Sequence, residues 1–387
     1  MKHLQDFPVA LVQSNVRSYS KKFHSHIFTL FASCESAIYT FAQFHSPHYE
    51  YGFALTKNEE SEWCGSENLE EVRSWVLSHL KETQKLYIIW KKYWKEFTLL
   101  NRKIDAIKLE TLSDVELYNL FESFHHAYLL AGGIGYITDS FMSVGSDDWL
   151  EVLIRSDLQR INVSPEKISH YTKVLTTVVK QSYSAEVADK SAGVAGKLEK
   201  LPVHSLGEIK QKHPTLFRAL KQLEQKYHWI NNNYHHVEYL DADYFYHEAQ
   251  KIIEEAKKTK TTVTTLILKN SQERLKAKQE QDHLLQMLSL SKSTKSALQL
   301  AQLFALWKDI RKSGVCIGMH YYDLFLKEIA KRTGYLLEDL QFLIFYEIKP
   351  VLLDGMKVDT VISARHELCF YVVTPKGYFI IGGAGAK

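Results

Sequence analysis

Apolar residues along this chain recur mostly at three- and four-residue spacing, the period that places them on one face of an α-helix. From Ser18 to His45 such a stripe is made by Phe23, Ile27, Phe28, Phe31, Cys34, Ile38, Phe41 and Phe44, and Ser46-Pro47 stops it, so one long buried helix is expected there. A second stripe, Leu69, Val72, Val76, Leu80, Tyr87, Trp90 and Trp94, predicts a helix over 68–97, with the polar stretch 58–66 as a connector. Trp90 and Trp94 fall on the side of Tyr87 and read as core, while Lys91, Lys92 and Lys95 form the solvated face. Ser113 and Glu116 have the spacing of a capping box, in which each side chain satisfies a backbone N–H at a helix start. They open a helix over 115–130 that the glycines of AGGIGYI close.

Ser164-Pro165 marks another start, because a proline at the first helical position forfeits no hydrogen bond. Further helices are expected over 207–228, 241–258, 261–288, 294–312, 321–331 and 337–348, the last ending before Pro350. The Ala-, Ser-, Gly- and Lys-rich stretch 184–201 is weakly patterned and reads as a connector or a marginal helix. The last thirty residues change character. KVDTVISARHE can form one more helix, but LCFYVVTPKGYFIIGG is a pair of β-rich runs around Thr374-Pro375-Lys376-Gly377, the pattern of a β-hairpin. The expected fold is mainly α: a multi-helix bundle in two subdomains, 1–200 and 201–356, followed by 357–387 with a helix and the small C-terminal hairpin. GGAGAK then reads as a linker, beyond which the polypeptide is expected to continue.

Composition agrees with this pattern and removes several classes of function. Seventeen glycines and seven prolines in 387 residues leave few breaks, which favours long helices. With 48 basic and 45 acidic side chains the net charge of +3 makes no long-range field for nucleic acid or anionic lipid, and neither is an expected partner. No window approaches the ~18 apolar residues of a membrane span, and the N-terminal apolar run is broken by Asp6, Pro8 and Gln13. Cys34, Cys64, Cys316 and Cys369 are scattered, as reduced thiols of a cytoplasmic protein would be.

Catalytic motifs are not found. There is no phosphate-cradling P-loop, no nucleophile elbow and no His-Glu-x-x-His, and Gly133-Ile134-Gly135 follows a predicted helix rather than the strand a dinucleotide site needs. Histidines pair in sequence as His24/His26, His45/His48, His125/His126 and His235/His236; neighbours one or two apart point in different directions on a helix, and the one pair with i, i+3 spacing, His45 and His48, straddles Pro47 at a helix end. No metal site and no catalytic residue is expected from this chain.

The segment YHWINNNYHHVEYL, residues 227–240, is the most unusual. Three asparagines disfavour helix continuation and Asp241 can cap the next helix, so a helix-to-helix corner is expected, with a structural role weighed against a ligand-contacting one. Trp229, Asn233 and Tyr234 with Leu240 and Phe245, then WKDIRK at 307–312, Tyr321-Tyr322, LKEIAKRTGYLLEDLQFLIFYEI at 326–348, and Arg365 before GYFIIGG together resemble the central helical region of phosphoenolpyruvate synthase-like, phosphoenolpyruvate-utilising phosphotransferases. The likeness covers about residues 220–383. It implies the acceptor-binding helical part of such an enzyme, as in the rifampicin phosphotransferases, where a large helical domain holds the molecule to be phosphorylated. The ATP-grasp domain is missing, and the Ser-His pairs at 25–26, 78–79 and 169–170 lack the Gly-Gly-x-x of a phosphohistidine loop, so no catalytic role carries over.

On this resemblance the chain alone is expected to be inactive and to carry no cofactor. ATP or phosphoenolpyruvate and Mg would belong to the complete system. Its partners would be a small-molecule acceptor, a mobile phosphohistidine domain following Lys387, and a separate ATP-grasp protein. Walls of an acceptor cavity would come from Trp229, Tyr234 and Trp307, and polar fixers from Asn232, Asn233, His235, Asp309, Arg311 and Arg365. The alternative is a helical interaction or scaffold module that binds a partner or a small molecule without phosphoryl transfer.

Overall fold

The structure is a computed structural model and describes residues 1–5, 20–57, 60–65, 69–141, 148–179, 182–201 and 205–386. In chain order the elements are β1 (Ser20–His24), α1 (Ile27–Cys34) running into a π-helical segment (Glu35–Thr40), β2 (Gly52–Lys57), β3 (Glu60–Gly65), α2 (Leu69–Ser78), α3 (Leu80–Asp105) and α4 (Asp114–Gly133). There follow α5 (Trp149–Arg160), α6 (Pro165–Thr176), α7 (Tyr183–Leu198), α8 (Leu206–Lys212), α9 (Pro214–Tyr227), α10 (Ala242–Lys258) and α11 (Val263–Met287). The chain ends with α12 (Lys292–Thr333), α13 (Leu337–Leu340), α14 (Phe345–Leu353), α15 (Asp359–Glu367), β4 (Cys369–Thr374) and β5 (Gly377–Gly382). Mainly α is the class observed.

Two compact units are formed, one from 1–142, 232–237 and 314–387, the other from 143–231 and 238–313. Sequence boundaries at 200 and 356 each fall inside one of these units. The first unit contains a five-stranded antiparallel sheet of order β1-β3-β2-β4-β5. The expected hairpin is present as β4 and β5, in register from Cys369 opposite Gly382 to Thr374 opposite Gly377. It is extended by β2, with Ala54 opposite Tyr371, and then by β3 and β1. Phe31 of α1 packs on this sheet through Tyr371 and Tyr378, at ring separations of 5.4 and 5.3 Å. The core behind it is aromatic: Phe121 lies 4.8 Å from Phe325, and Phe124 meets Tyr322 edge-on at 5.1 Å. In the second unit Ile154, Leu158, Leu175, Leu284 and Leu298 form an aliphatic core.

Several elements depart from the expectations. The long helix over 18–45 is replaced at its start by β1, and the polar connector at 58–66 contains β3, because Ser20–His24 and Glu60–Gly65 satisfy each other's backbone across the sheet. The stretch 184–201 is neither a linker nor marginal: α7 is capped by Ser182, whose Oγ accepts from Ala185 N, and it buries Val187, Val194, Ala195 and Leu198. Pro350 lies inside α14 rather than after it. The two helices at 294–312 and 321–331 are one helix, α12. Its glycines admit aromatic rings rather than ending it, since a Cβ on Gly318 would stand 2.4 Å from Tyr128 Cε2.

Other expectations hold. The Ser113–Glu116 capping box is formed at α4, α6 begins at Pro165, and Asp241 Oδ1 accepts from Asp243 N and Tyr244 N at 3.0 Å each. Trp90 is 1% exposed and donates Nε1–H to the Ala131 carbonyl at 2.7 Å.

Candidate functional site

Glu35 is the charged residue in the apolar run that makes α1 and its π-helical extension, and it is 1% exposed. A π turn closes i to i+5 instead of i to i+4 and is frequent at functional positions. The wider turn brings Glu35, Tyr39 and Thr40 to one wall of a cleft of ≈ 500 Å³ in the first unit. Helix α4 supplies the facing wall, with Glu122, His125 and His126, and α14 closes one end with Phe345 and Tyr346.

Close packing of α4 on the π segment is made possible by glycine. A Cβ on Gly132 would stand 2.4 Å from Ser36 Oγ, and one on Gly133 would stand 2.6 Å from Thr40 Cγ2. Ser36 Oγ donates to the Leu129 carbonyl at 3.1 Å, a further tie between the two helices. The AGGIGYI sequence therefore does more than end a helix: two turns upstream of its glycines, His125 is brought opposite Glu35.

His125 Nε2 lies 3.4 Å from Glu35 Oε2, and both side chains are almost fully buried. That is ion-pair distance, but beyond the 2.7–3.2 Å of a well-formed N–H···O bond, and neither atom has a hydrogen-bond partner among the described residues. The other ends of both groups are fixed. Tyr346 donates its hydroxyl to Glu35 Oε1, the Met1 amino group donates to the Tyr346 oxygen at 2.9 Å, and the Tyr322 hydroxyl is hydrogen-bonded to His125 Nδ1 at 2.8 Å. The imidazole lies flat on Phe345, with ring centroids 3.8 Å apart. Burial, with the Glu35 carboxylate next in importance, holds the Tyr346 hydroxyl above the ordinary tyrosine value, and burial does the same for Tyr322. Both tyrosines therefore act as neutral hydrogen-bonding groups that orient the pair. A carboxylate and an imidazole held in this way can receive the polar atoms of a ligand or take up a proton from one.

None of the nine residues singled out from the sequence lines this cleft. In the second unit, Trp229 is buried beside Tyr183 and Tyr227, Trp307 is fully buried with Phe304 edge-on at 5.7 Å, and Arg311 is buried. Asp309 accepts the backbone N–H of Tyr183 at 2.6 Å, at the first turn of α7, and burial raises its carboxyl. In the first unit, Asn232 Nδ2 donates to the Cys316 carbonyl at 3.4 Å, and Asn233 Oδ1 accepts from His235 N and His236 N at 3.0 Å each. The Tyr234 carbonyl accepts from His26 N and Thr29 Oγ1, and the His235 ring stacks on His26 at 4.8 Å. Arg365 grips Glu347 with two bonds of 2.7 Å and also reaches the Phe342 carbonyl. The asparagine corner is held by these bonds to backbone and neighbouring side chains.

In the sequence His125 is only half of an unpromising histidine pair, and Glu35 belongs to no motif. The usable signal was a single carboxylate inside IFTLFASCESAIYTFA. Among the described residues no group of three or more His, Cys, Asp or Glu side chains is placed to hold a metal ion, and no helix is long and apolar enough to cross a membrane. No protein-family model matches the chain, and no curated protein matches it significantly.

Proposed function

We propose that this chain is the acceptor-binding helical part of a phosphoenolpyruvate synthase-like phosphotransferase, and that the cleft beside Glu35 and His125 is where the acceptor is held. The family assignment rests on the resemblance of residues 220–383. The observation that carries the site is the buried Glu35–His125 pair on the wall of a cleft whose ≈ 500 Å³ lies in the range of small-molecule sites. Phosphoryl transfer to a hydroxyl requires the acceptor to be positioned, water to be excluded and a proton to be taken up. The carboxylate–imidazole pair offers the position and the proton site. The phosphoryl donor, ATP or phosphoenolpyruvate with Mg, and the mobile histidine domain belong to the rest of the system. Cys34, Cys316 and Cys369 form no disulfide among the described residues, which fits the proposed reducing, cytoplasmic setting.

Native mass spectrometry of the protein with a library of sugars, polyols and nucleosides tests this. A one-to-one adduct with at least one hydroxylated compound is expected, accompanied by thermal stabilisation that His125→Phe removes. Adducts unaffected by substitution at His125 and Glu35 would dismiss the cleft as the site.

A second reading, a helical interaction module, is favoured by Leu268 and Leu275, which are 56% and 55% exposed two turns apart on α11. Sedimentation of the wild type beside a Leu268→Lys, Leu275→Lys variant tests it: self-association lost in the variant supports the module.

A further inference from the structure

Resting on the reading that the cleft of the first unit is an acceptor site, we propose that its ligand carries a protonated amine, held by the Glu35 carboxylate. Two carboxylates, Glu35 and Glu122, line the cleft together with the Met1 amino group, and no lysine or arginine side chain is among the lining residues. Glu35 Oε1 accepts from Tyr346 and Oε2 has no partner among the described residues, so a donor on the ligand completes it. The Tyr346 bond fixes the direction in which Oε2 is offered.

Charge separates the candidate donors. Glu35 is 1% exposed, and in so poorly solvated a place a unit positive charge gains far more from a carboxylate than a neutral hydroxyl does, while phosphate or a second carboxylate is repelled. The His125 imidazole stands at 3.4 Å from Glu35 Oε2 without a formed hydrogen bond. The rings of Tyr39 and Tyr346 line the same space and favour a cation near their faces. An amine is already accommodated at this edge, where the Met1 amino group donates to the Tyr346 hydroxyl that in turn donates to Glu35.

The test is calorimetric titration of the full chain with glucosamine and glucose, which differ by one amine, and with ethanolamine and inorganic phosphate. Glucosamine and ethanolamine are expected to bind, glucose at least about tenfold more weakly than glucosamine, and phosphate not at all. Glu35→Gln is expected to lose about tenfold in affinity for the amines. Because that change touches a buried group, Glu122→Gln at the exposed rim serves as the second variant, with a smaller loss in the same direction. Glucose binding as well as glucosamine, with affinity unchanged in both variants, overturns the amine and leaves the acceptor site standing. Preference for phosphate overturns the amine as well. Failure of every probe, together with failure of the hydroxylated library, overturns both.

Discussion

Gly133 lies so close to Thr40 that a Cβ added to it would meet the threonine Cγ2 at 2.6 Å and its Cβ at 3.0 Å. Helix α4 thus approaches the π segment as only glycine allows, and the separation of His125 from Glu35 depends on that approach. Ordinarily glycine to alanine inside a helix stabilises by roughly 0.5–1 kcal/mol. At Gly133 the clash is expected to win, and Gly133→Ala should lower the unfolding free energy by about 1–3 kcal/mol, the cost of overpacking a core. Gly193 is the control: it is exposed in α7, with nothing within 4 Å of an added Cβ, so Gly193→Ala should stabilise by up to about 1 kcal/mol. Urea unfolding of the two variants beside the wild type reads the opposite signs.

Gln281 joins α11 to the end of α6 by a single amide nitrogen, which lies 3.0 Å from each of the carbonyls of Val174, Leu175 and Thr177. These carbonyls lie at a helix end, where Val174 O also accepts from Thr177 N at 3.3 Å and Thr177 O from Gln302 Nε2 at 2.8 Å, so the Leu175 carbonyl relies most on the Gln281 amide. Gln281→Ala should therefore cost roughly 1–3 kcal/mol through unsatisfied acceptors. Gln281→Glu should cost more at pH 7, because a carboxylate would face three acceptors, and it should recover part of the loss as the pH is lowered. Equal destabilisation of the two variants at every pH would show that the amide donors are unimportant.

Arg365 illustrates how a residue can be noticed in the sequence for one role and placed by the fold in another. It is 5% exposed and binds Glu347 through two 2.7 Å hydrogen bonds, tying α15 to α14. Arg365→Met leaves the Glu347 carboxylate with only the Ile344 N–H among the partners described here, and is expected to cost about 3 kcal/mol. The double variant Arg365→Met, Glu347→Leu should recover a large part of this, since replacing both members of an ion pair with apolar groups removes the unpaired charge. A double variant no more stable than the sum of the single losses would mean the pair is not coupled.

Local signals were legible where they determined local structure. Ser113 and Glu116, Ser164-Pro165 and Asp241 each announced a helix start, and the Tyr87–Trp90–Trp94 stripe announced the core, because capping and amphipathic spacing act within a few residues. The sheet was half visible. Thr374 to Gly377 marks the turn of β4 and β5, whereas β1 and β3 exist through pairing with segments tens of residues away, and Ser20–His24 adjoins a strong helical stripe that masked it. Glycines misled in two directions. Gly314 and Gly318, in the gap between the two helices expected over 294–312 and 321–331, receive aromatic rings inside α12, and those at 132 and 133 read only as a terminator. The candidate site escaped for a related reason: Glu35, His125, Tyr322 and Tyr346 come from four separate stretches that only the tertiary fold assembles.

His45 provides a pH signature independent of the cleft. Its ring stacks on Phe41 and meets Trp75 edge-on at 4.2 Å, and Nδ1 donates to the Pro47 carbonyl. Burial lowers its imidazole from 6.5 to about 4; the Pro47 hydrogen bond acts in the opposite direction, and the neighbouring His48 and His79 add repulsion. The unfolded chain therefore binds a proton here more readily than the folded one. Stability from the neutral ring is fully present above about pH 6.5, is lost as the pH falls toward 4, and changes no further below that, a loss of roughly 3 kcal/mol at most. His45→Phe removes the titrating group while keeping an aromatic ring between Phe41 and Trp75. Urea unfolding at pH 7, 5.5 and 4 should show the wild type losing more stability than the variant at each step. Parallel losses in the two proteins would assign the acid sensitivity to other groups.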